Sequence, residues 1–370
     1  MAAPTRQTTA ATHATVARFS VERLAYLDAA GQPIGALPPF AADGTHLLEL
    51  YRHMLLARRF DARAVALQRT GKLGTYAQAT GQEAVPVGVT DAMIDADVLL
   101  PTYREGIAQV MRGVSMAEIL RYWGGDERGC DYADPRARCD FPPAVPVASQ
   151  IPHAAGVAFA LKKQGVEAAA VSFVGDGGSS KGDFYEAINL AGVWRLPLVV
   201  IITNNQWAIS VPRSRQTAAE TLAQKAIAAG ITGLQVDGND VIAVRQAADA
   251  ALKRAREQRQ ASLIEAVTYR ACDHTTADDA SRYRSAEALE RARQQDPIRR
   301  LQAFLRAHNL LDEAAQQAME DDCDRRIEAA VEEYLATPPR EPASIFEHLF
   351  AEPTAELRTQ RQALTGVAHG

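Results

Sequence analysis

The sequence predicts an α/β fold: a largely parallel sheet flanked by helices, with helical extensions at both ends. Three observations carry that expectation. Two continuous apolar runs, AAVSFV at 169–174 and LVVII at 198–202, have the length and β-branched content of strands covered on both faces. Between them, from Gly182 to Trp194, residues Phe184, Ile188, Ala191 and Trp194 recur near helical period, and Pro197 stands just beyond. Strand, helix and strand of this length form a parallel pair when the crossover is right-handed.

The remaining elements follow in chain order. Residues 44–70 (GTHLLELYRHMLLARRFDARAVALQRT) read as one long amphipathic helix. GTYAQATGQEA, 74–84, breaks it and starts another helix, with Gly81 at the junction. DVLLPTYREG, 97–106, is a short apolar run closed by Pro101 and followed by Tyr103-Arg104. The Pro-rich stretch from Pro142 is extended, and Pro152 suits the first turn of the helix that continues to Lys163. Residues 216–244 read as helix, turn, short strand, turn and helix; the last helix continues through 251–260, and SLIEAVTYRA, 262–271, is a final strand. CDHTTADDASRYR, 272–284, is polar and aperiodic, hence a loop. The chain is then helical and charged to about Tyr334, and TPPREPA, 337–343, is a linker. The expected organisation is an N-terminal arm over 1–43, one α/β domain over 44–335, and a linker with a C-terminal segment over 336–370.

Composition narrows the class. In 370 residues, 47% apolar and 23% charged residues fit a globular protein. A net charge of −5 leaves no electrostatic footprint for nucleic acid, and no apolar run approaches the ~20 residues that span a bilayer. Cys130, Cys139, Cys272 and Cys323 show no CxxC spacing, which points to reduced thiols. Residues 1–21 contain no acid and are rich in Ala and Thr. They suit a mitochondrial transit peptide or, as we expect, a disordered arm on a bacterial cytoplasmic protein.

The chemistry concentrates between Gly175 and Asn205. Asp176 follows the first apolar run and Asn205 the second, about thirty residues later, so the fold brings both to neighbouring strand ends on one carboxyl edge. Strands about 4.8 Å apart let both side-chain oxygens reach one ion. A carboxylate and an amide oxygen beside a Gly loop and a helix N-terminus suit magnesium carrying phosphate oxygens. GDGGSSKGD has neither the GxxxxGK[ST] spacing of a triphosphate loop nor the third Gly of a dinucleotide fingerprint. Taken alone, the Gly loop is equally a tight turn with Asp176 as helix cap; the distant Asn pair favours a site. Read alone, Arg104 is a surface ion-pair partner, Val145 and Val147 are core, His153 caps or packs, and His274 is a solvated loop histidine.

GDG, about thirty residues and NN resemble the thiamine diphosphate-binding motif. GDGGSSKGDFYEAIN with NNQWAIS is similar to the alpha subunit of the first, decarboxylating component of 2-oxo acid dehydrogenase complexes, over roughly residues 47–349. The resemblance implies the thiamine diphosphate-binding fold, with Asp176, Asn205 and the backbone carbonyl of Trp207 as magnesium ligands. It implies Gly177, Gly178 and Arg104 on the diphosphate, Tyr103 beside it, and Val145 and Val147 at the aminopyrimidine, one as an apolar wedge. It also implies His274 near the cofactor or the reacting group, within the HTTADDASRYR loop. Relatives often carry Tyr at position 207 and a charged or amide residue at position 203, where this chain has Thr. The activity implied is oxidative decarboxylation of a 2-oxo acid, most like pyruvate, with transfer of the acyl group to a lipoyl-bearing acyltransferase second component. Branched-chain 2-oxo acid and acetoin dehydrogenase alpha subunits are the other relatives of this kind; a non-catalytic thiamine-fold scaffold is the reading of another class. The activating carboxylate is expected from a beta subunit in an α2β2 heterotetramer.

Overall fold

The computed structural model describes residues 14–347 and 349–366. Residues 1–13, which hold most of the expected arm, lie outside the described residues. From residue 14 the chain has no regular structure and is mostly exposed until a short strand, β1 (Arg23–Leu24). Then come α1 (Gly44–Arg69), α2 (Ala84–Asp91), β2 (Val98–Leu100), α3 (Gly106–Met111), α4 (Met116–Trp123), α5 (Gln150–Gln164) and β3 (Ala170–Gly175). The second half runs α6 (Gly182–Trp194), β4 (Leu198–Asn204), a small hairpin of β5 (Trp207–Ala208) and β6 (Val211–Pro212), α7 (Lys225–Ala229), β7 (Thr232–Asp237), α8 (Val241–Gln258) and β8 (Ser262–Val267). Helices α9 (Ala286–Arg293), α10 (Pro297–Ala307), α11 (Glu313–Ala336) and α12 (Ala355–Gly366) close the chain.

Six strands form one parallel sheet in the order β1-β7-β8-β4-β3-β2, as the apolar runs predict. Strand β4 is buried along its whole length, and alternate residues serve opposite faces. Leu198, Val200 and Ile202 pack with Ile151, Ala154, Phe184 and Ile188 of α5 and α6. Val199 and Ile201 face Val85, Val244 and Ala248 of α2 and α8. A third cluster, built from α1, α4, α10 and α11, is the helical flank. Helix α6 has the bounds that its apolar spacing predicts, and α1 ends one residue short of the predicted limit.

Three readings are corrected. The segment before Gly44 contributes β1 to the sheet edge, so it is not wholly an arm. Residues 216–224 are not helical; only Lys225–Ala229 are, because the chain before them wraps around side-chain bonds such as Arg213 Nη2 to the Ala219 carbonyl (2.7 Å). The last strand stops at Val267 rather than Ala271: the amides of Thr268, Arg270 and Ala271 bond to the carbonyls of Asn204, Asn205 and Thr80, which turns the chain across the strand ends. The charged C-terminal stretch is helical as expected, in three helices, with Asp296 and Asp312 capping the second and third.

Asp240 ties the N-terminal segment to this frame. One carboxylate oxygen accepts from the amides of Tyr26 (2.6 Å) and Leu27 (2.8 Å), and the other caps α8 at Ile242 (3.0 Å) and Ala243 (3.2 Å). Asp240→Ala leaves four amides short of an acceptor. It should cost about 3 kcal/mol in urea unfolding, a lost cap plus buried unsatisfied donors. It should also speed hydrogen exchange at Tyr26 and Leu27 before the sheet core.

Candidate functional site

The parallel register places Gly175 opposite Thr203, so Asp176 and Asn205 both stand just past the carboxyl ends of β3 and β4. Between them opens a cavity of about 250 Å³. Its walls include Tyr103, Arg104, Val147, Asp176, Gly177, Gly178, Asn205, Trp207 and His274, which places nine of the ten expected site residues around one space. Val145 is the exception: its side chain is 56% exposed and does not line the cavity. Such a crevice at strand carboxyl ends is where open α/β sheets bind ligands.

The glycines are there for close approach. A Cβ on Gly177 would run into the methyl of Ala208, and one on Gly178 would lie 2.6 Å from Val174 Cγ2. Their backbones therefore sit against the β5–β6 hairpin and the end of β3, where any side chain would clash.

Asp176 is 1% exposed and forms no ion pair among the described residues. Its carboxylate accepts one side-chain bond, from Gln216 Nε2 at 2.9 Å. Burial holds its acidity below that of an ordinary aspartate, against the Gln216 and Gly177 hydrogen bonds. Asn205 donates from Nδ2 to Gln82 Oε1 at 2.8 Å, which turns its Oδ1 toward the Trp207 amide at 3.2 Å. Buried beside them without partners are Gln82 Nε2, Thr203 Oγ1 and Gln216 Oε1. Asp176, Asn205 Oδ1 and the Trp207 carbonyl could together offer oxygen donors, the chemistry that a hard cation such as magnesium prefers. Unpartnered polar atoms around an under-bonded buried carboxylate fit such an occupant.

The opposite wall is cationic. Arg104 donates to the carbonyls of Gln78 and His274 (both 2.6 Å) and from Nη2 to His274 Nδ1 at 2.9 Å. Arg270, 1% exposed, reaches the Ile209 carbonyl (2.8 Å), the Tyr283 hydroxyl (2.7 Å) and, at 3.5 Å, the same His274 nitrogen. The His274 amide bonds to Asp278, whose other contact is the Tyr283 hydroxyl. Tyr103 meets the imidazole edge-on, ring centroids 6.2 Å apart. Burial, then Arg104, then Arg270 push His274 down to about 4. With guanidinium donors on Nδ1, the neutral ring carries its proton on Nε2 and can donate it.

Sequence reasoning missed Gln82, Gln216 and Arg270. Gln82 stands in the GQEA stretch and Arg270 in an apparent strand, where nothing marks either as turned into a site. Gln216 was read as helix. The four cysteines are free thiols, and no helix among the described residues is long and apolar enough to cross a membrane.

Comparison with known proteins places the chain in a family. Residues 51–343 match the family model described as dehydrogenase E1 component. The pyruvate dehydrogenase E1 component subunit alpha of Staphylococcus aureus (strain Mu50) is 40% identical over 315 residues, 85% of each chain. The subunit of the same name from Staphylococcus epidermidis is 38% identical over the same share of each. The chain belongs to the dehydrogenase E1 component family.

His274 should stay neutral across pH 5.5–8. Heteronuclear NMR of labelled histidine is expected to show an Nε2–H tautomer with no titration in that window. Removing the guanidinium in Arg104→Ala should move its midpoint up toward the ordinary value near 6.5.

Proposed function

We propose that this member of the dehydrogenase E1 component family is the alpha subunit of a thiamine diphosphate-dependent pyruvate dehydrogenase. The observation that carries the reading is the meeting of Asp176, Asn205 and Trp207 with Arg104 and His274 around one cavity, in a chain 40% identical to curated pyruvate dehydrogenase E1 alpha subunits. Asp176, Asn205 Oδ1 and the Trp207 carbonyl would hold magnesium. The amides of Gly177 and Gly178, with Arg104, would take the diphosphate. Val147 would pack as the apolar wedge, and Tyr103 would stand beside the cofactor.

Bound thiamine diphosphate supplies the electron sink for loss of carbon dioxide from a 2-oxo acid. The chain's residues do the positioning. Asp176 and Asn205 fix one end of the ligand at the strand ends, and Arg104, bonded to two backbone carbonyls, keeps its charge in place. His274 presents Nε2–H to an oxygen on which negative charge grows, as a hydrogen-bond donor rather than an imidazolium acid. This gives His274, expected from the resemblance to lie near the cofactor or the reacting group, the role of an oxyanion stabiliser.

The rest of the proposal rests on the family. A beta subunit in an α2β2 assembly would supply the activating carboxylate, the acyl group would pass to a lipoyl carrier, and the complex would work in a bacterial cytoplasm. Residues 44–335 form the diphosphate-type domain in this reading, and 336–370 the linker and C-terminal segment.

Turnover assays and the Asp176→Asn variant test it. Co-expressed with its beta subunit, the chain should support pyruvate-dependent dye reduction at least about tenfold better than with 2-oxoisovalerate; one or two methylene groups are worth that much in an apolar pocket. The purified chain alone should be inactive, and steady turnover without a partner refutes the division of labour. Asp176→Asn should weaken magnesium-dependent cofactor binding by more than about 100-fold, the upper range for loss of a supporting group around a metal. The same change should raise the melting temperature of the ligand-free protein. A carboxyl whose folded pKa is raised costs stability above that pKa, and the cost fades as pH falls through it. The gain from Asn should therefore be full at pH 8 and shrink toward pH 4.

A further inference from the structure

Behind the Gly177–Ser180 turn, on the side away from the cavity, lies a buried lysine that the site as described does not use. Lys225, the first residue of α7, is 5% exposed. Its ammonium donates to the Ser179 carbonyl at 2.6 Å and to Ser179 Oγ at 2.9 Å. Ser179 in turn bonds back to the Asp176 carbonyl, from Oγ at 2.7 Å and from its amide at 3.2 Å. Lys225 therefore reaches the backbone of the turn through one residue. The ammonium also lies 5.0 Å from the Tyr185 ring centroid and 5.7 Å from that of Phe184, in the first turn of α6. Among the described residues it makes no ion pair.

An ammonium withdrawn from water without a counter-ion is costly, and an apolar side chain of similar length would fill the space between the rings without that cost. Burial pushes the group down to about 8, helped by Arg213 and opposed by Glu265. The charge makes physical sense if an anion comes to the other side of the turn. The ammonium holds Ser179, and Ser179 holds the Asp176 carbonyl, which shares its peptide with the Gly177 N–H, so the clamp restrains the direction of that amide and of the turn that follows. The positive charge also acts through the thin, glycine-walled turn on whatever binds in front of it.

We propose that Lys225 is a positioning residue for phosphate binding: by clamping Ser179 from behind, it orients the Gly177–Ser180 turn toward the diphosphate and supplies part of the charge that offsets it. The proposal rests on the functional reading above and adds a residue outside the cavity wall to it.

The test uses the full chain assembled with its beta subunit, as wild type, Lys225→Met and Lys225→Arg. Dissociation constants for magnesium–thiamine diphosphate and for thiamine, which has no phosphate, are measured by calorimetry alongside the ligand-free melting temperature. Lys225→Met should weaken thiamine diphosphate at least about tenfold, the scale of one charge-assisted hydrogen bond. It should leave thiamine unchanged and the melting temperature equal or higher, and Lys225→Arg should restore most of the lost affinity. Wild-type affinity for thiamine diphosphate in Lys225→Met overturns the proposal and leaves the functional reading standing. Equal weakening of both ligands with a lower melting temperature overturns it too, because Lys225 would then be packing alone. A wild-type assembly that fails to bind thiamine diphosphate overturns the functional reading, and this inference with it.

Discussion

Unpaired charge around a single cavity is the constraint on which the rest of the structure depends. Asp176 is buried without a cation, while Arg104, Arg270 and Lys225 are held on or just behind the walls without a carboxylate in ion-pairing reach among the described residues. In an ordinary core such groups would pair with each other or be replaced by apolar residues. Here they are kept apart, the acid at the ends of β3 and β4 and the guanidiniums across the opening. Each is held mostly by neutral partners: Gln216 for Asp176, backbone carbonyls for Arg104 and Arg270, Ser179 for Lys225. Neutral partners fix position without cancelling charge. That arrangement costs stability in the empty protein and favours a ligand that is itself a cation and an anion together.

Keeping charges in place without pairing them demands rigid support, and the flank beside the sheet provides it. Arg58 of α1 is bonded to the fully buried Glu83 and to Asp296 at the start of α10. Glu83 accepts the Gly81 amide (3.0 Å), and Gly81 takes φ +92° with its backbone against the Tyr269 carbonyl, where a Cβ would come within 2.5 Å. Gln82 follows and holds Asn205. A helix on the flank thus sets the orientation of a side chain in the cavity through three consecutive residues. Asp61 does similar work one turn along α1, accepting the Tyr76 hydroxyl and the Ala79 amide, both at 2.7 Å. These carboxylates are satisfied, which is what separates framework from site.

Much of this was legible in the chain. The apolar runs and the spacing of Phe184, Ile188 and Ala191 specify β3, α6 and β4, and the register of two parallel strands then brings Asp176 near Asn205 with no further information. Periodicity could not show what lies beyond the strand ends, because the loops there are held by single long-range bonds. Val267 ends β8, although the apolar pattern runs on, because the next amides find acceptors at Asn204, Asn205 and Thr80. Arg270 is turned into the site by the same detour. Gln216 lies near helix-favouring residues, yet it closes a single tight turn over Arg213–Arg215 rather than starting a helix, and from there its side-chain amide reaches Asp176. Val145 shows the converse: two valines one residue apart look equivalent in sequence, but only Val147 faces the cavity.

The hairpin of β5 and β6 explains why the Gly loop must be glycine and why the backbone beside it is strained. Ala148, Gln206 and Ile209 are three of the six non-glycine residues with positive φ among the described residues; Ala148 and Ile209 line the cavity, and Gln206 stands between Asn205 and Trp207, which also line it. Ile209 is the severe case, since a β-branched residue at φ +55° meets its own Cβ substituents, a cost of about 1–3 kcal/mol. Two bonds hold the conformation: the Ile209 carbonyl accepts from Arg270 (2.8 Å) and the Gln206 carbonyl from the Arg213 amide (2.9 Å). The result is a turn tight enough to press Ala208 against Gly177. A relaxed hairpin would leave room for a side chain at 177. Strain at Ile209 and the absence of a Cβ at Gly177 are therefore two consequences of one requirement, that the hairpin press closely against the Gly loop beside the cavity.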